Sequence, residues 1–187
     1  MHKSFILLML IMLVAIAGCS KPQVEFDNIP KWFTQTPEDS DYYSATATIK
    51  SPDIQMAIDT AKDTARAELA SQLEIRITSM FKRFREQVGL GTDVEFESLS
   101  TNVAKSFVSK TITGTLPVKT DIVKEGNDVR AYALVKMSIG AINSALVDTI
   151  KNQKQMYLRF RASEGFKELE EEKKKYKDFL KEQGRTE

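Results

Sequence analysis

The chain has 187 residues, in which 27 Lys and Arg balance 26 Asp and Glu, and it contains one cysteine and one histidine. This balance of charge argues against nucleic acid as a partner. The histidine, His2, lies at the extreme N-terminus, so the rest of the chain excludes histidine-ligated metal sites and histidine-dependent catalysis. The sequence has no glycine-rich phosphate loop and no nucleophile-elbow pattern, and we therefore expect no catalytic residues, no metal and no cofactor.

The chain begins with a short basic stretch that is followed by an apolar run. Lys3 is the only charged residue before the run, and all thirteen residues from Phe5 to Ala17 are apolar. A membrane-spanning helix needs roughly 20 apolar residues, so this run is too short to be one. Its length is typical of the central part of a secretory signal peptide. We predict a signal peptide over residues 1–18.

The end of the run, Ile16-Ala17-Gly18-Cys19, resembles the lipobox of bacterial lipoproteins. The resemblance implies that the Cys19 thiol receives a diacylglycerol, that the chain is cut before Cys19 and that the new amino group is acylated. Cys19 is the only cysteine, so no disulfide partner competes for its thiol. Ser20 stands where an inner-membrane retention signal commonly has Asp, and by analogy with other lipoproteins this favours attachment to outer-membrane lipid. We expect the periplasmic leaflet, and the alternative is the cell surface. The alternatives are an uncleaved N-terminal anchor and an ordinary cleaved signal.

Residues 19–29 show little hydrophobic periodicity and are predicted to tether a folded domain that covers residues 30–155. Trp32, the only tryptophan, lies between Pro30 and Pro37, and two prolines disfavour a helix there. We expect Trp32 to pin this segment onto the core. The alternative is that Trp32 stacks on a ligand.

A strand and a helix open the predicted domain. Residues 42–49 are small or β-branched and alternate, with Tyr42 and Tyr43 on opposite sides, which indicates a strand with one buried face. The helix that follows is predicted to have Ser51 as its N-cap and Pro52 at its first position.

This helix carries its apolar residues at spacings of three and four. They are Ile54, Ile58, Ala61, Ala65, Leu69, Leu73, Ile77, Met80, Phe84 and Val88. Unbroken to Val88, the helix would reach about 55 Å at 1.5 Å per residue, so we expect its far end to extend beyond a small sheet and meet another element. The basic side chains of Lys82-Arg83-Phe84-Arg85 are predicted to lie on its solvated face.

A hairpin is predicted in the second half of the chain. Thr115 to Lys124 and Val129 to Met137 have the pattern of strands, and Gly126 and Asn127 are expected to supply the positive backbone angles of a tight turn. Pro117 indicates that the first of these strands lies at a sheet edge.

Three more helical patterns occur after the long helix. Thr92 to Glu95 form a predicted capping box that opens the first, and the second begins near Ser138. The third lies in a charged tail over residues 156–187, where apolar residues recur at spacings of three and four. We expect this tail to be either a surface helix with a frayed end or a contact between protomers.

Several of these features follow one another in a fixed order: the lipobox, Pro30-Lys31-Trp32, a strand of small residues and the segment Ala61 to Ala70. The segment has the form Ala-x-x-x-Ala-Arg-x-x-Leu-Ala, and from Pro30 to Met137 the chain resembles the Lpp-twenty family of bacterial outer-membrane lipoproteins. That family includes FlgP-like flagellar lipoproteins, which form rings or discs around the motor. The resemblance implies a dodecin-like, strand-helix-strand-strand fold and no catalytic residues.

The predicted fold is α+β, with long helices on a three-stranded antiparallel sheet, an extra helix and a C-terminal helical tail. The predicted function is a non-enzymatic, lipid-anchored outer-membrane lipoprotein with a structural or assembly role in the cell envelope, either as a homo-oligomer or within an envelope protein assembly. A FlgP-like ring or disc component is its most concrete version. The alternative is a monomeric binding module in which Trp32, Tyr42 and Tyr43 bind a small ligand, a glycan or a protein.

Overall fold

The computed structural model describes residues 28–35, 39–112, 115 and 117–184. Within these ranges the chain is α+β, as predicted, with six helices and a three-stranded antiparallel sheet. The elements in chain order are α1 (Lys31–Thr34), β1 (Tyr42–Ser51), α2 (Ile54–Gln87), α3 (Val94–Ile112), β2 (Pro117–Glu125), β3 (Asp128–Ser138), α4 (Ile139–Asn152), α5 (Lys154–Phe160) and α6 (Glu164–Glu182). Helix α1 is a single turn, which the flanking prolines did not predict.

The sheet has the order β1-β3-β2, so the last strand in the chain is the central one. Strands β2 and β3 form the predicted hairpin, and Pro117 begins an edge strand, as predicted. Gly126 has a φ of +66°, whereas no described residue other than glycine has a positive φ. The prediction for Asn127 was therefore wrong, because a turn that needs a positive φ only at its first central residue is formed by Gly126 alone.

Helix α2 covers the inner face of the sheet with a row of buried residues at every fourth position. The row consists of Ala57, Ala61, Ala65, Leu69, Leu73, Ile77 and Phe81. Small residues in the first part let the helix backbone approach β1 and β3 closely. Ile54 was predicted to belong to this face, but it is 53% exposed, and Ala57 takes the buried position at the start of the helix.

Beyond the sheet, the far end of α2 enters a cluster of phenylalanine rings. The expectation that this end meets another element is confirmed. Phe81 and Phe84 of α2 lie with their ring centroids 5.6 Å and 5.4 Å from that of Phe160 in α5. Phe96 of α3 lies 5.3 Å from the same ring, and Phe166 of α6 lies 6.3 Å from Phe84. Four helices therefore share one aromatic core, in which edge-to-face contacts add to the burial of apolar surface.

Two helix starts differ by one or two residues from their predictions. The N-cap of α2 is Asp53, whose side chain accepts a hydrogen bond of 2.7 Å from the Met56 amide, while Ser51 ends β1 and accepts from the Asp53 amide. Asp93 precedes α3 and accepts from the Phe96 amide at 2.9 Å, in place of the predicted capping box that began at Thr92. In both cases an aspartate directly before the helix satisfies a free amide of the first turn.

The helices after β3 fold back onto the body of the protein. Helix α4 begins where predicted, directly after Ser138. Ser138 is its N-cap, and Ser163 is the N-cap of α6. The segment predicted as a tail contains α5 and α6, and it contributes four fully or nearly fully buried side chains to the core: Met156, Phe160, Phe166 and Leu169. Of the helices in the described ranges, none combines the length and hydropathy that a membrane-crossing helix requires.

Glycine allows α6 to approach α4 closely, because a Cβ atom at Gly140 would overlap the ring of Tyr176. We expect Gly140→Ala to lower the free energy of unfolding by about 1–3 kcal/mol, the usual cost of overpacking. The sign is diagnostic, because replacing a helical glycine by alanine otherwise stabilises a helix by roughly 0.5–1 kcal/mol. Urea unfolding measures the difference.

The control for this prediction is Gly91→Ala. A Cβ at Gly91 would make only an ordinary contact of 3.9 Å with the Glu86 side chain. We expect this variant to stay within about 0.5 kcal/mol of the parent chain. Equal or stabilising effects of the two substitutions would contradict close packing between α6 and α4.

Candidate functional site

The predicted lipid-attachment site, Ile16, Ala17, Gly18 and Cys19, lies outside the described residues. Only its position along the chain can therefore be related to the fold. The first described residue, Asn28, is nine residues after Cys19, and a chain of this length spans at most about 30 Å when fully extended.

Trp32 lies on the outer face of the sheet, on the side opposite α2. Its indole Nε1–H donates a hydrogen bond of 2.6 Å to Oδ2 of Asp121 in β2. The ring of the next residue, Phe33, lies edge-on to the ring of Tyr132 in β3, with the two centroids 4.9 Å apart. Residues 28–35 therefore lie against the outer face, and Trp32 holds this segment to an edge strand.

The Phe33 ring accounts for part of the burial of the outer face at the central strand, where it covers Tyr132. Tyr132 and Leu134 are 3% and 1% exposed, although they point away from the face that α2 covers. Burial raises the pKa of the Tyr132 hydroxyl above its usual value of 10.0. The sheet is thus covered on both faces at β3 rather than presenting an open platform for a ligand.

The three candidate binding residues do not meet. Tyr42 and Tyr43 are consecutive in β1 and point to opposite faces. Tyr42 pairs with Ser138 at one end of β3, whereas Trp32 contacts Asp121, which pairs with Tyr132. The two positions on β3 are six residue steps apart, which corresponds to about 20 Å along the strand.

Tyr43 faces inward and lies beneath a cation. The guanidinium carbon of Arg76 is 5.0 Å from the centroid of the Tyr43 ring, which is the geometry of a cation–π contact. The hydroxyl oxygen of Tyr43 is buried and has no hydrogen-bond partner among the described residues. Burial raises the pKa of this hydroxyl, so that it stays protonated at neutral pH.

Two shallow grooves run along α3, and sequence reasoning missed both. The first has a volume of about 420 Å³ and lies between α3 and α4, with Leu99, Val103 and Phe107 on one wall and Ala145 and Thr149 on the other. The second, about 440 Å³, lies between the start of α3 and α5, and Leu99 lines it too. The apolar stripe of α3 was recognisable in the sequence, but the position of α4 and α5 beside it was not.

The second groove is closed at one end by an ion pair. Arg159 Nη1 lies 3.0 Å from Asp93 Oδ2, and its guanidinium carbon lies 5.0 Å from the centroid of the Phe96 ring. The Phe96 amide and, to a smaller extent, Arg159 hold the pKa of Asp93 below its usual 3.8. This carboxylate therefore caps α3 and joins it to α5.

Arg85 was predicted to lie on a solvated face, and this prediction was wrong. Its side chain is only 5% exposed, because α3 turns back over the end of α2 at this point. Nη1 donates to Ser100 Oγ at 3.2 Å, and Nη2 lies 3.3 Å from Oε1 of Glu97. Lys82 and Arg83 remain exposed, as predicted.

We expect Arg85→Ala to lower the free energy of unfolding by about 1–3 kcal/mol, because the substitution removes a packed aliphatic stem and the hydrogen bond to Ser100. The matched control is Arg83→Ala, which removes an exposed guanidinium two residues away and should cost less than about 0.5 kcal/mol. Chemical denaturation of both variants gives the comparison. Equal losses would show that Arg85 does not join α2 to α3.

No group of three or more His, Cys, Asp and Glu residues that could hold a metal ion occurs in the part of the chain that the structure describes. The complete chain matches no protein-family model, and no curated protein is significantly similar to it.

Proposed function

We propose that the chain is a non-enzymatic outer-membrane lipoprotein with a structural or assembly role in the cell envelope. The observation that carries this proposal is the order of the N-terminal residues. An apolar run ends in Ile16-Ala17-Gly18-Cys19, and Cys19 is the only thiol of the chain. Each buried methylene of an acyl chain contributes about 0.8 kcal/mol, and two or more chains make attachment to the membrane stable.

The short distance between anchor and fold supports a position close to the membrane. Because at most about 30 Å of extended chain separates Cys19 from Asn28, the point at which the described fold begins stays within that distance of the lipid surface. Ser20 in place of Asp favours the outer membrane by analogy with other lipoproteins, on its periplasmic leaflet.

Ion pairs hold neighbouring elements of the described fold together. Charged groups with displaced pKa values join one element to another. The Arg130 guanidinium, bonded to both carboxylate oxygens of Glu125, holds the pKa of that carboxyl below 4.5, and the Glu170 carboxylate raises the pKa of Lys151 above 10.5. The amide of Asp41 and the ammonium of Lys136 lower the pKa of Asp39 in the same way.

Our proposal includes membership of the Lpp-twenty family, and the order of elements supports it. Strand β1, the alanine-rich helix α2 and the hairpin β2–β3 follow the strand-helix-strand-strand order, and Ala61, Ala65 and Leu69 of the family-like motif are the residues that pack on the sheet. Helix α3, between α2 and the hairpin, and helices α4 to α6, after the hairpin, are additional to this order. A ring or disc component of the FlgP-like kind is the most concrete version of the assembly role.

A monomeric binding module is the second candidate, and one observation favours it. The groove between α3 and α4 has an apolar wall formed by Leu99, Val103 and Phe107 and polar ends, which suits a small amphipathic ligand. In this version the groove, rather than the separated Trp32, Tyr42 and Tyr43, would hold the ligand.

The anchor is tested by fractionating cells that produce the full-length chain or its Cys19→Ala variant. We expect the parent chain to remain with outer membranes after a high-salt wash and to be released by detergent, because acyl chains hold it there. We expect Cys19→Ala to be lost from the outer-membrane fraction, because it carries no acyl chain. Intact-mass measurement should show the parent chain beginning at Cys19 and carrying lipid.

A matched pair of variants at the next position tests the choice of membrane. Ser20→Asp should move the lipidated protein to the inner membrane, whereas Ser20→Ala should leave it in the outer membrane. If Cys19→Ala still fractionates with outer membranes after the salt wash, the lipid anchor is not what holds the protein there.

A further inference from the structure

The two edges of the sheet differ in how well they are protected against pairing with another strand. Strand β2 begins with Pro117, its register with β3 shifts between Pro117 and Lys119, and it carries charges at Asp121 and Lys124. Proline, a bulge and charged side chains are the features by which natural sheets prevent edge-to-edge association. The β2 edge has all three.

Strand β1 has none of these features over most of its length. It pairs with β3 without interruption from Tyr42 to Ser51, and it contains no proline, no glycine and a single charged residue, Lys50, near its end. Among the described elements, only β3 and α2 make more than marginal contact with it. Its outer edge therefore presents a row of backbone N–H and C=O groups that no described strand pairs.

The sequence of β1 is complementary to itself. We propose that β1 pairs antiparallel with β1 of a second copy, with Thr46 opposite Thr46. This register sets Ala45 opposite Ala47, Ser44 opposite Thr48, Tyr43 opposite Ile49 and Tyr42 opposite Lys50. The two strands then form one sheet of six strands, related by a two-fold axis perpendicular to the sheet.

Most cross-strand pairs in this register are favourable, and the pair of Ala45 with Ala47 is neutral. Tyr43 with Ile49 is an aromatic and β-branched pair, and Ser44 with Thr48 is a pair of hydroxyls. The hydroxyl of Thr48 is buried without a hydrogen-bond partner among the described residues, and the register brings a serine opposite it. Lys50 lies opposite Tyr42 rather than a second Lys50, so no like charges oppose each other, and its ammonium can keep the ion pair of 3.3 Å that it forms with Asp128.

The position of α2 leaves room for the second copy. Helix α2 contacts β1 and β3 about equally and hardly touches β2, which puts it over the line midway between β1 and β3. Strands are about 4.8 Å apart, so the helix axis lies about 4.8 Å from a two-fold axis outside β1. The two α2 helices would then be separated by about 9.6 Å where the axis passes, which is the ordinary packing distance of 8–10 Å.

The symmetry also suits two copies anchored in one membrane, and here the inference rests on the proposed lipid anchor. A two-fold axis perpendicular to the sheet keeps the outer faces of both copies on the same side. Because residues 28–35 lie on that face, as the contact between Trp32 and Asp121 shows, both chains approach the sheet from the same side. Both anchors can therefore reach the same leaflet.

Disulfide formation in membranes tests the register directly. We expect Thr46→Cys to give a covalent dimer on mild oxidation, because the Cβ atoms of directly opposed residues lie about 4.5–5.5 Å apart, close to the Cβ separation of a disulfide. Thr48→Cys is the matched control. It lies on the same face of the same strand, but in this register it is displaced by four residues, about 13 Å, from its symmetry mate.

A double variant completes the register test, since Ser44→Cys with Thr48→Cys should restore the dimer. The parent chain, with Cys19 alone, measures the background. We expect the Thr46→Cys dimer to exceed both the Thr48→Cys dimer and the background at least tenfold on non-reducing gels. Equal cross-linking of Thr46→Cys and Thr48→Cys would overturn the register.

Light scattering of the detergent-solubilised protein distinguishes the surface from self-association in general. We expect a dimer for the parent chain, a monomer for Thr46→Lys, which sets two charges opposite each other, and a dimer for Val118→Lys at the other edge. If Thr46→Lys remains oligomeric and Thr46→Cys gives no cross-link, the protein self-associates through a surface other than β1, and the proposed surface is rejected. A parent chain that is monomeric in detergent, together with no Thr46→Cys cross-link in membranes, would reject self-association and the β1 surface alike.

If circular dichroism shows that Thr46→Lys does not fold, the cross-linking of the cysteine variants decides between these outcomes.

Discussion

The structure depends on a single helix that is longer than the sheet on which it packs. Helix α2 has 34 residues and is therefore about 51 Å long, whereas the ten residues of β1 extend about 34 Å. The difference must be buried by something other than the sheet. Helices α3, α5 and α6 supply that burial through the cluster of phenylalanine rings around Phe160.

The buried row of α2 explains how one helix serves two partners. Its buried residues recur at every fourth position from Ala57 to Phe81. Four residues turn an α-helix through 400°, so each step moves the buried position by about 40° around the axis, and six steps move it by about 240°. The helix thus presents alanines to the sheet at its start and aromatic rings to other helices, on a different side, at its end. Sheet and helices become one core for that reason.

Much of this architecture could be predicted from the sequence, because period-two and period-three-to-four patterns are local. The α+β class, the hairpin at Gly126, the edge position of Pro117 and the start of α4 near Ser138 all followed from such patterns. The way in which the buried row of α2 moves around the helix axis could not be predicted, since it depends on which elements lie beside the helix. The packing of Phe166 is a tertiary effect of the same kind. The burial of Arg85 had a local signal, because Arg85, unlike its exposed neighbour Arg83, stands four residues after Phe81 and continues the buried row of α2.

The candidate site divides in a similar way. The predicted lipid-attachment residues up to Cys19 form a linear motif, and such a motif can be recognised from the sequence without a structure. The grouping of Tyr42 with Tyr43 in one pocket conflicts with strand alternation, which was visible in the sequence and sends consecutive side chains to opposite faces. The grooves along α3 required the positions of α4 and α5, which are set by packing over more than forty residues of chain.

Native-state hydrogen exchange of the α2 amides tests the central claim that this helix joins the sheet and the helical cluster into one core. The claim predicts that amides near Ala61, under the sheet, and amides near Phe81, among the aromatic rings, exchange only through the same global unfolding, with the same free energy and the same dependence on denaturant. A lower opening free energy for one half of α2, with its own smaller denaturant dependence, would show two separately stable units and contradict the claim.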